Sequence, residues 1–206
     1  MSARRIAVLA AVAACLSSVA CLEETPSLRP LFATSIRVPE IEGHWVTSDG
    51  ERVQFVKVED GYELLLPGWE LRASHQKERA TLRARVRFGR LSDQLLADFS
   101  AVSPSRDTET SSGDTDGVSF LGLWPVHVFA RVSASEGRLE IARLDSEWFL
   151  KAIRSGQIQL RHEVLSDEDI LVTASTAQLQ ATFAEYAYHP DMFEEPEAFT
   201  RTGANQ

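Results

Sequence analysis

"LRARVRFGRLSDQLLADFSA", residues 82–101, decides the fold. Leu82, Ala84, Val86 and Phe88 alternate with Arg83, Arg85 and Arg87. A period of two puts the apolar four on one face of a β-strand and the three arginines on the other. Leu95, Ala97, Phe99 and Ala101 repeat the alternation. "GRLSDQ" between the two runs is a natural loop, so they are expected to form a hairpin. Pairing symmetric about that loop places Asp98 opposite Arg85.

The same period dominates from Glu51 to Val172. "VKVEDGYELLL" carries a tight-turn signal at Asp60-Gly61, and "VFARVSASEGRLEIARL" carries another at Glu136-Gly137. "QIQLRHEVLSDEDILVTA" supplies a further pairing. The spacing predicts a mainly β fold, an antiparallel meander or up-and-down barrel of about nine strands. Two helices accompany it. "DSEWFLKAIRSG" has Asp145 as N-cap, Gly156 just past its end, and an apolar face of Trp148, Phe149, Ala152 and Ile153. "STAQLQATFAEYAYHP" opens on a capping box, Ser175 to Gln178, and stops before Pro190, with Leu179, Phe183 and Tyr186 inward. The acidic tail that follows is expected to be pinned by Met192, Phe193 and Phe199.

The N-terminus reads as an export signal over residues 1–20. "MSARR" is its charged start and "IAVLAAVAA" an apolar stretch too short to span a bilayer. Arg4-Arg5 lacks the flanking residues of a twin-arginine signal, which favours the general export route. Two cysteines compete as the processing point. "VAAC" ends at Cys15 and "SVAC" at Cys21, and both resemble the bacterial lipobox, whose cysteine is diacylated and begins the mature chain. Val12 makes the first the better match at the apolar position. Cleavage there would leave an unpaired thiol in a disulfide-forming compartment, which favours Cys21. Simple cleavage after Ala20 is the bland alternative. Residues 21–40, with Pro26, Pro30 and Pro39, are then expected to be a lipidated, flexible tether. The β domain spans 41–200, and 201–206 form a disordered tail.

The formal charge is -9. Removing residues 1–20 takes Lys+Arg from 21 to 19 against 30 Asp+Glu, a net -11. Nucleic acid is a poor partner for such a chain, because phosphate binding needs clustered cations.

"GHW", Gly43 to Trp45, at the entry to the first strand, resembles the G-x-W element of lipocalins. There the tryptophan plugs one end of a barrel that often holds an apolar ligand, which implies a lipocalin-like barrel here. A helix between strands, as "DSEWFLKAI" would be, departs from the lipocalin layout. More broadly the chain resembles a group of uncharacterised bacterial envelope lipoproteins. It shares their order of lipobox, "GHWVTSDG" entry, "PVHVFARV" strand, "LDSEWFLKAI" helix and "VTASTAQLQ" helix start. That resemblance implies a lipid-anchored β domain at the outer membrane, facing the periplasm, and no mechanism.

No histidine pair has ligand spacing, so no metal or cofactor is expected and no catalytic set is assigned. His162 reads as a core histidine bonded to backbone, and His127 as a surface or pocket-edge residue opposite Val126 and Val128. "DTETSSGDTDG" (107–117) departs from a calcium loop in its glycine position and lacks the closing glutamate, so it reads as a solvated connection. Arg83, Arg85 and Arg87 are the candidate anion-binding row, since arginine forks match phosphate and carboxylate. The alternative is a solvated face neutralised by Asp98 against Arg85. The expected function is a non-catalytic binding or interaction module, whose partner is an anionic ligand, an apolar ligand or an envelope protein. A hydrolase-type enzyme using His127 with a carboxylate, or a structural subunit of an envelope complex, stands beside it.

Overall fold

A computed structural model describes the backbone of residues 25–73, 76–102, 126–166 and 169–203, and their side chains apart from 67–82 and 101–102. Cys15, Cys21 and the 107–117 segment lie outside the described residues. The strands are β1 (Gly43–Thr47), β2 (Arg52–Val58), β3 (Gly61–Ala73), β4 (Gln76–Leu91), β5 (Gln94–Val102), β6 (His127–Ser135), β7 (Arg138–Arg143), β8 (His162–Val164), β9 (Ile170–Val172) and β10 (Glu197–Arg201). Helix α1 (Ser146–Arg154) precedes β8, helix α2 (Thr176–Tyr186) precedes β10, and a 3-10 turn covers Pro39–Ile41.

Eight of these strands close into an antiparallel barrel in the order β1-β10-β7-β6-β5-β4-β3-β2, and β8-β9 form a separate hairpin. Closure pairs every strand of the wall on both sides, while β3 and β4 run on past it, paired only with each other from Trp69↔Ala80 to Ala73↔Gln76. The inward residues are those the alternation selects. Val53, Phe55, Tyr62, Leu64, Val86, Phe88, Ala97 and Phe99 are buried together, with Tyr62 packed edge-on to Phe88 at 5.2 Å. These side chains form one contiguous buried cluster inside the barrel.

Trp45 is fully buried at one end of the barrel. Its indole Nε1 donates to the Ile41 carbonyl at 2.8 Å, which ties it to the 3-10 turn. The Arg201 guanidinium stacks over the indole at 4.5 Å and donates to the carbonyls of Glu42 (2.7 Å) and Glu40 (2.5 Å). The Val38 amide donates to the Tyr62 hydroxyl from the same side. This end is therefore plugged by side chains and a turn locked to one another.

A second core lies on the outer face of β5, β6 and β7. Leu96, Phe129 and Ala142 point outward there and meet Phe149 and Ile153 of α1, Leu179 and Phe183 of α2, and Ile170 and Val172 of β9. Both helices keep their expected starts. Asp145 accepts from Trp148 N at 2.7 Å, and Ser175 and Gln178 form the complete capping box. Gly156 sits at φ +77°, the left-handed conformation that ends α1.

Three expectations need correction. The first is the register of the central hairpin. β4 continues through Gly89, Arg90 and Leu91, and the turn is only Ser92-Asp93, both at positive φ. The pairing therefore shifts by two, so Asp98 lies opposite Arg87, and Arg85 lies opposite Ser100. Gly89 stays in the strand because the Phe32 ring lies where a Cβ would be, 2.2 Å from that position.

The second is the flexible tether over 21–40. Its described part is packed along the barrel. Ser27 exchanges backbone hydrogen bonds with His127, at 2.8 and 2.9 Å, and its neighbours bond to Val172. Leu31 and Phe32 are buried in the outer core, and Ile36 N donates to Phe88 O. Two apolar side chains of this size gain more from burial than a short coil gains from freedom.

The third is the tail. Residues 197–201 form β10, which lies between β1 and β7 and closes the barrel, and Thr202 N still bonds to His44 O. Met192, Phe193 and Phe199 are buried, as expected of them.

Candidate functional site: the outer wall of β4, β5 and β6

Antiparallel pairing sets polar residues in rows on the outer wall. One row runs Glu63, Arg85, Ser100, His127 across β3 to β6. The next runs Arg87, Asp98, Phe129. Arg83 continues the arginine column, opposite Leu65.

Asp98 is 2% exposed, an unusual state for a carboxylate. Its Oδ1 lies 2.7 Å from His127 Nδ1, and its Oδ2 accepts from Leu31 N at 2.8 Å. Both oxygens are thus engaged by groups other than Arg87. The hydrogen bond to Nδ1 fixes the imidazole orientation, and among the described residues Nε2 makes no hydrogen bond. His127 is only 7% exposed, which corrects the expectation of a surface or pocket-edge residue: Ser27 covers it, its N–H and C=O both bonded to the His127 backbone. Ser100 faces it across the strand pair, but among the described residues no hydroxyl bonds to the imidazole.

The arginines keep their expected column. Arg85 is exposed, and Arg83 and Arg87 are half-buried. Among the described residues none of the three makes a hydrogen bond or an ion pair. The Nε atoms of Arg83 and Arg87 are shielded from solvent and without a partner. Carboxylates on the neighbouring strands do stand beside the column, Asp98 opposite Arg87 and Glu63 opposite Arg85. Among the described residues neither carboxylate bonds to an arginine, and the two Asp98 oxygens bond instead to His127 and Leu31 N.

His162 is half-buried, with Nδ1 2.8 Å from Leu160 O, the backbone partner expected of it. Among the described residues no three His, Cys, Asp or Glu side chains gather as metal ligands. No described helix is long and apolar enough to cross a membrane.

One charged group was not anticipated. Glu197 shares the inward face of β10 with Phe199, at the barrel end opposite Trp45. Its Oε2 is buried without a partner. Burial, then the nearby Glu51, push its carboxyl up to about 7, against the lowering effect of Arg143. Arg143 itself pairs with Glu194 at 2.6 Å. The chain matches no protein-family model, no curated protein and no solved structure.

Proposed function

We propose that this protein is a lipocalin-like, lipid-anchored and non-catalytic binding module of the bacterial cell envelope. It would be held at the outer membrane through acylated Cys21, facing the periplasm after loss of its signal peptide. It would bind an anionic ligand on Arg83, Arg85 and Arg87. The supporting observation is that the three guanidiniums form an in-line column on β4 in which, among the described residues, none makes a hydrogen bond or an ion pair, although Asp98 stands opposite Arg87 and Glu63 opposite Arg85. A packed interior argues against an apolar ligand among the described barrel side chains.

Two measurements test the two halves. Cys21→Ser should release the protein from the detergent phase while Cys15→Ser leaves it there; release by Cys15→Ser alone would move the anchor. Arg83→Gln, Arg85→Gln and Arg87→Gln combined should abolish salt-sensitive binding to anionic vesicles or acidic polysaccharide with an unchanged melting temperature. Unchanged binding would leave the row a solvated face.

The hydrolase-type reading has its own favouring observation, the 2.7 Å contact between His127 and Asp98. An oriented imidazole is half of a nucleophile-activating arrangement, and Ser100 stands opposite His127 in register. Hydrolysis of ester substrates that disappears equally in Ser100→Ala and His127→Gln would favour it over the binding module.

A further inference from the structure

We infer that the ligand of the arginine column is a linear acidic polysaccharide lying along β4, an inference that rests on the anion-binding reading above. The geometry is a line. Alternate strand residues project from the same face about 7 Å apart, so Arg83, Arg85 and Arg87 span about 13 Å along one direction. A single phosphate or carboxylate can engage one guanidinium fork of such a line. A chain with an anionic group on successive units engages all three, and the later contacts form without a new loss of translational freedom.

The surroundings select among chain polyanions. Glu63 stands opposite Arg85, half-buried and without an ion pair among the described residues. A densely charged polymer would be repelled there. Spaced charges with neutral hydroxyls between them would not. Ser100, on the other side of Arg85, makes no hydrogen bond among the described residues and offers a donor and an acceptor to a sugar hydroxyl. Leu65, half-buried opposite Arg83, gives the apolar contact that a sugar ring face takes. An anionic lipid headgroup fits less well, because it is a short group presented end-on and the column is extended.

The test uses the full mature chain and oligogalacturonates of graded length, with galacturonate monomer, inorganic polyphosphate and phosphatidylglycerol vesicles as comparisons. Affinity should rise at least tenfold from monomer to the length that spans all three arginines, then level off. Arg83→Gln and Arg87→Gln, at the two ends, should each shorten the length at which it levels off. Glu63→Gln should raise polyphosphate binding toward that of the oligogalacturonates. Equal affinity for monomer and long chains would overturn the extended site and leave a single-anion site. Binding to vesicles without binding to oligosaccharides would overturn the polysaccharide and keep the anion site. Binding of no anion at all would overturn both readings.

Discussion

Trp45 and Glu197 mark opposite ends of the barrel, and each makes a single-residue claim. Trp45 is fully buried and is held by Ile41 O on one side and Arg201 on the other. Trp45→Ala should cost about 3–5 kcal/mol in chemical denaturation, as for a large core aromatic; a loss below about 1 kcal/mol would mean the plug is not structural. Burial pushes the Glu197 carboxyl in the folded protein up to about 7, from an ordinary value of 4.5. A carboxyl raised on folding stabilises the fold fully below its unfolded pKa, and that contribution is lost as pH rises through the folded value. Stability should therefore fall between about pH 4.5 and 7.5. Glu197→Gln should flatten that fall and stabilise the protein at pH 8 by on the order of 1 kcal/mol, after discounting for solvent screening of a half-exposed group. Melting curves of the two proteins at pH 5 and pH 8 check this, and equal pH dependence would count against it.

The N-terminal segment, residues 25–38, is an element in its own right although it forms no regular strand. It is fastened by Ser27 to β6, by Leu31 N to Asp98, and by Phe32 over Gly89. Gly89→Ala would drive a methyl into the Phe32 ring and should cost about 1–3 kcal/mol. In a Phe32→Ala background the same change should cost much less, because the clash partner is gone. Additive losses in the double-mutant cycle would show that Gly89 answers to something other than Phe32. Much of this architecture was legible in the sequence. The period-two runs, the Glu136-Gly137 turn and both helix caps are local signals, and local signals are what a sequence displays. Three features were not legible. β10 reads as tail because "EAFTR" has one inward aromatic, Phe199, and its strand character comes from neighbours that only closure supplies. The segment 25–38 reads as coil because its prolines are visible and the cavity that takes Leu31 and Phe32 is not. The register error came from treating Gly89 as a breaker, when tertiary packing of Phe32 holds it extended. The arginine column was legible from spacing alone. The Asp98 bond to His127, in place of one to Arg87, depends on a partner 29 residues away and has no local signal.

At the scale of the whole molecule, two cores share one wall. Phe99, Ala97 and Leu95 of β5 face the barrel interior, while Leu96 and Asp98 face the outer layer. β6 divides likewise between Ala130 and Phe129. A wall packed on both faces couples the two layers, so neither is expected to unfold alone. Phe183 tests this. It is fully buried on α2 and touches Phe129 of the wall edge-on at 5.2 Å and Phe149 of α1 at 6.3 Å. Phe183→Ala removes no atom from the barrel interior, yet it should lower the stability of the whole protein by about 3–5 kcal/mol. The loss should appear as one transition, reported at the same midpoint by far-ultraviolet circular dichroism and by tryptophan fluorescence. Trp45 lies in the inner core and Trp148 in the helical layer, so the fluorescence samples both. If the barrel were autonomous, the mutant would show two midpoints, an early one for the helices and an unchanged one for the strands. The coupling also bears on the arginine column, which stands on β4, paired directly to the doubly packed β5. Three side chains that must meet a chain ligand in line are best carried by the part of the molecule least free to bend, and a strand hydrogen-bonded to that wall meets the requirement.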